Sequence, residues 1–97
     1  MYSVLNSSVG GKSDYITVST SSAWDSSDAP EAFANAMPST SHTYTGIINA
    51  ASGARCVAIG LKGSASSAVV MTFTYSSTVC FWVKWAGTWT KRTFTLT

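Results

Sequence analysis

The chain has 97 residues, of which 45% are hydrophobic and only 10% charged, and it carries a net charge of +2. A length of this order makes one domain with a thin core, and six cations are too dilute to track a phosphate backbone, where each neutralised phosphate needs its own, so nucleic acid is not an expected partner. No apolar run approaches the roughly 18 residues of a membrane span, and Met1-Tyr2-Ser3 lacks the charged start and apolar stretch of a signal peptide, so neither membrane insertion nor a leader is expected.

Small hydroxyls take the place of charge. The sequence holds 17 Ser and 13 Thr, 30 of 97 residues, which keep a surface wet and lose little rotamer entropy on burial. Four Trp, four Tyr and four Phe argue for a packed fold against a disordered Ser/Thr stalk.

In chain order, residues 1–40 come first as N-terminal strands and a short helix. Tyr2 to Leu5 and Tyr15 to Ser19 read as short strands with Gly10-Gly11 as the turn between them. Asp28 to Met37 reads as the one helix. Asp28 stands as N-cap, Pro30 in the first turn and Glu31 three residues after the cap, a capping-box pattern, with Ala32, Phe33, Ala36 and Met37 as an apolar stripe and Pro38 closing the segment.

Residues 41–97 read as a five-stranded antiparallel meander. The strands run roughly Thr43 to Asn49, Ala54 to Leu61, Ala68 to Tyr75, Val79 to Trp85 and Trp89 to Leu96, joined by short turns. Period-two alternation puts Val57, Ile59, Leu61, Val69, Met71, Phe73, Phe81, Val83, Phe94 and Leu96 on one face, the expected main core. The opposite face, with Cys56, Ala58, Gly60, Ala68, Val70, Thr72, Cys80, Trp82 and Lys84, is small and half-apolar and is expected to be covered by another layer or another subunit. The fold class is therefore mainly β, a small antiparallel sheet or sandwich meander with one short helix before the main sheet.

Catalytic equipment is sparse. His42 is the one histidine and is read as a turn or surface residue, while Asp28 and Glu31, two of the four acids, are assigned to the helix cap, so no catalytic residue is expected. There is neither a Cys-x-x-Cys nor a His-x-x-x-His pair, and no glycine-rich phosphate loop, so neither a metal nor a cofactor is expected. Cys56 and Cys80 are read as buried thiols in preference to a disulfide.

The informative stretch is Phe81-Trp82-Val83-Lys84-Trp85-Ala86-Gly87-Thr88-Trp89, followed by Thr90-Lys91-Arg92. A hairpin turning at Ala86-Gly87 is expected to bring Trp85 and Trp89 together, with Trp82 on the other face. Aromatics flanked by hydroxyls and cations stack on sugar rings or anchor protein interfaces, whereas plain cross-strand packing of the same indoles would only stabilise the hairpin.

That hairpin resembles the end of the knob domains of phage tail fibres and R-type pyocins. Tyr44-Thr45-Gly46 followed by Ile47-Ile48-Asn49 resembles the strand that opens these domains, and the acidic, Ala-rich Asp25 to Met37 resembles the segment before it. The resemblance covers about two thirds of the chain and departs at Thr90-Lys91-Arg92, where an aromatic often follows the Trp. It implies a homotrimeric, non-catalytic module of a virion fibre, assembled in the host cytoplasm and contacting polysaccharide or another receptor on the bacterial surface. Of the ligand-binding residues, the resemblance carries over only the hairpin aromatics Trp82, Trp85 and Trp89, and Arg92 and Tyr44 are further candidates for the same sugar site. The alternatives are a purely structural trimerisation module and a secreted carbohydrate-binding module.

Overall fold

The computed structural model describes residues 14–97, so the expected strand Tyr2 to Leu5 and its Gly10-Gly11 turn lie outside the described residues. The chain is mainly β. Strands β1 (Tyr15–Ser19), β2 (Tyr44–Asn49), β3 (Arg55–Ser64), β4 (Ser67–Phe73), β5 (Thr78–Trp85) and β6 (Thr88–Thr95) form one sheet in sequence order, with helix α1 (Asp28–Ala36) between β1 and β2.

From β2 to β6 the sheet is an antiparallel meander, and β1 joins its edge parallel to β2. A parallel neighbour cannot be reached by a tight turn, so the chain crosses over one face of the sheet and carries α1 with it. β1 lies so close to β2 that a Cβ at Gly46 would collide with the Ile16 backbone. At the other end, the β5–β6 turn is Ala86-Gly87 with φ of 54° and 84°, the pair of positive values that lets a two-residue hairpin follow the strand twist.

The helix settles on the small-residue face. Phe33 and Met37 are buried with Ala29, Pro30 and Ala34 against Ile48, Cys56, Ala58, Ala68, Val70, Cys80 and Trp82. Gly60 makes room for the ring: a Cβ there would stand 3.2 Å from Phe33 Cε2 and 3.0 Å from the Val69 carbonyl oxygen. Relative to the expected stripe the helix is rotated, with Ala36 exposed and Ala29 and Ala34 inside.

The two faces of the sheet are thus exchanged relative to the sequence expectation. Val57, Ile59, Leu61, Phe81, Phe94 and Leu96, expected in the main core, are exposed, and Val69, Met71, Phe73 and Val83 are half-buried. The face expected to await a cover is the core, and the cover is α1. Volume is consistent with the exchange, because the small Cys56, Ala58, Gly60 and Ala68 leave room for the large Phe33 and Met37 of α1.

The capping box is also absent. Ser27 occupies the N-cap without a side-chain cap bond, Asp28 accepts from the Ser22 hydroxyl, and Glu31 turns toward the sheet.

Candidate functional site

The two-residue turn sets the geometry of the aromatic hairpin. With Trp85 opposite Thr88, Lys84 pairs with Trp89 and Trp82 with Lys91, so Trp82, Lys84 and Trp89 share the helix-covered face and Trp85 points to the open one. The expected meeting of Trp85 and Trp89 does not occur, because one residue of offset reverses the face of a strand side chain. Instead Trp82 and Trp89 meet edge to face, centroids 6.4 Å apart at 90°.

Their polar ends are all engaged. The Trp82 indole N–H donates to Thr72 Oγ1 at 3.1 Å, and that of Trp89 to Glu31 Oε1 at 2.7 Å. Lys84 Nζ donates to the same Glu31 oxygen at 3.0 Å and to the Ala65 carbonyl, 5.7 Å from the Trp89 ring centroid. Lys91 Nζ reaches the Asp25 carbonyl at 3.0 Å and stands 5.3 Å from the Trp82 ring. The Trp89 N–H first, and then Lys84, hold the Glu31 carboxyl below its ordinary pKa. The cluster ties helix to hairpin, and its indoles have little surface left to offer a ligand.

The five residues suggested for ligand binding therefore do not converge. Tyr44 is 1% exposed and Trp82 3% exposed, both within the core, and Trp89 is half-buried beside Glu31. Trp85, 75% exposed, and Arg92, which pairs with Phe81, stand free on the open face.

The open face, whose alternation predicts a core, is a surface. Across the sheet, Val57, Phe73, Val79 and Phe94 form one row, Ile59, Met71, Phe81 and Arg92 the next, and Leu61, Val69, Val83 and Thr90 a third. A depression of about 360 Å³ opens at one end, walled by Ile47, Val57, Phe73 and Tyr75 with Arg55 beside them. No Asp or Glu lies on any of the six strands. The sequence signal for an interface was the absence of charge, but the alternation was equally consistent with a core.

The remaining chemistry lies elsewhere. His42 has partners the sequence did not suggest: Nε2 is 2.7 Å from Asp14 Oδ1 and Nδ1 3.0 Å from Ser41 Oγ. Both His42 and Asp14 side chains are more than two-fifths exposed, so water competes for these contacts, which fasten the start of β1 to the loop before β2. Cys56 and Cys80 are free and buried beneath α1, and burial pushes the Cys56 thiol up to about 11 and the Cys80 thiol upward as well. Among the described residues no group of three His, Cys, Asp or Glu could hold a metal, and no helix is long and apolar enough to cross a membrane.

Compared with known proteins, the chain matches no family model, and neither a curated protein nor a solved structure is detectably similar to it.

Proposed function

We propose that this chain is a non-catalytic contact module of the phage tail-fibre type, a homotrimeric part of a virion fibre in which self-association is the primary task. The observation that carries this reading is the open sheet face, broad, apolar and without an acid, on a domain whose other face is already sealed by a helix. The titratable groups near the helix support it too, since Glu31 and Lys84 are spent on holding α1 to the hairpin and Lys91 on the Asp25 carbonyl in the segment before it. Light scattering coupled to size exclusion on the full chain is the test: a trimer is expected, and a monomer at high micromolar concentration would overturn the assembly reading.

A second task, contact with bacterial-surface glycan, is favoured by Trp85, a flat aromatic left largely bare at one end of the sheet on the same face as the cation Arg92. Trp85→Ala is expected to abolish binding on a glycan array without altering the fold. Binding equal to that of the parent chain would remove Trp85 from any sugar site.

A further inference from the structure

We propose that the depression at the Arg55 end of the sheet binds a small aromatic carboxylate, with its rings on Ile47, Val57 and Phe73 and its carboxylate on the Arg55 guanidinium. The site lies at the margin of the open face, at the opposite end of the strands from Trp85, and needs neither the assembly nor the glycan contact.

The hollow comes from the way two strands end. β3 begins at Arg55 and β4 ends at Phe73, and Val57 is paired with Phe73 on one side and Ile47 on the other, so three apolar side chains form a floor. Past the last pair the chain stays tied to β3, because Thr74 Oγ1 donates to the Arg55 carbonyl at 2.7 Å. Arg55 and Tyr75, the latter 96% exposed, are thereby kept as walls of one hollow. At about 360 Å³ it stands at the small end of ligand-binding clefts, a size for one or two rings. Phe73 and Tyr75 offer those rings aromatic surfaces to pack on.

Charge selects the ligand. The Arg55 side chain is exposed, and among the described residues its guanidinium has neither a hydrogen-bond acceptor nor an ion-pair partner. No Asp or Glu lies on any strand to supply one. A guanidinium stays charged at any working pH and presents a planar fork of donors that matches a carboxylate. Bonds between two charged groups of this kind are roughly twice as strong as neutral ones.

The other cations of the sheet are placed differently. At a second hollow, between Leu61, Val69, Val83 and Trp85, the nearby Lys84 is turned to Glu31 and the Ala65 carbonyl. Arg92, on the edge strand, lines neither hollow. An apolar floor and an unengaged cation therefore coincide at Arg55.

Titration of the isotopically labelled full chain with 2-naphthoate, followed by amide chemical shifts in NMR, tests the site, with 2-naphthamide as the neutral control. A ligand of about a dozen heavy atoms is expected to bind with Kd on the order of 1 mM, moving the resonances of Ile47, Arg55, Val57 and Tyr75. Naphthamide should bind about tenfold more weakly, and Arg55→Gln should weaken naphthoate by about tenfold while leaving naphthamide unchanged. Because Arg55 is exposed, the variant is expected to keep the parent's spectral dispersion. Equal affinity of the parent for naphthoate and naphthamide, or of naphthoate for parent and Arg55→Gln, overturns the proposal, as do shifts centred on Ile59 and Phe81. Octanoate binding as tightly as naphthoate would overturn the aromatic class of the ligand.

Discussion

The two faces of this sheet share one backbone and are both largely apolar, yet one became the core and the other was left open. The covered face holds Cys56, Ala58, Gly60, Ala68, Val70, Thr72 and Cys80, and the open face Val57, Ile59, Leu61, Met71, Phe73 and Phe81. Hydropathy alone would bury the second set first. The helix chose the first because its own large groups, Phe33 and Met37, supply the volume that small residues leave free. Close packing rewards the summed volume of two layers, not the hydrophobicity of either one.

Truncation on each face sharpens the contrast most strongly. Phe33→Ala, at a fully buried ring, is expected to cost about 3–5 kcal/mol in urea unfolding. Ile59→Ala, measured where the chain is monomeric, should cost less, about 1–2 kcal/mol, since Ile59 is already 36% exposed. Equal losses at the two sites would erase the distinction between the faces.

Thiol chemistry reads the same seal. With Cys56 pushed up to about 11 from an ordinary 9.0, its thiolate fraction near pH 8 falls about a hundredfold, so labelling by iodoacetamide should be slow in the native chain and fast after unfolding. Rapid native labelling of Cys56 would mean that α1 does not keep its face closed.

The smallest effect concerns the latch between helix and hairpin. Glu31 titrates below its ordinary 4.5 when folded, so its contribution is present above that value and is lost as pH falls through the lower, folded one. Its side chain is more than a third exposed, and the loss in Glu31→Gln at neutral pH should be below about 1 kcal/mol. Urea midpoints followed into acid should fall less steeply in Glu31→Gln than in the parent. Identical slopes would show that the Trp89 and Lys84 bonds do not govern Glu31.

Much of the local structure was legible in the residues. Strands β1 to β6 and helix α1 fall within a few residues of the ends read from alternation, apolar spacing and turn chemistry. The candidate site was legible only in its membership. Placing Trp85 opposite Thr88 follows from counting across Ala86-Gly87, and the same count carries Trp89 to Lys84 and away from Trp85. Glu31 illustrates the opposite case, since a cap and an ion pair 53 residues away in sequence compete for one carboxylate. Local pattern contains only the first of these.

By itself the sequence determined where strands alternate, where a helix starts and which residues share a face, because these follow from the 2.0 and 3.6 residue periods of the backbone. Tertiary structure alone decided which face is inside, that β1 runs parallel to β2, and that Tyr44, Trp82 and Trp89 are held in or against the core while Trp85 is bare. The reason is physical: periodicity sets the phase of side chains about their own strand, whereas burial depends on the fit of volumes between segments far apart in the chain.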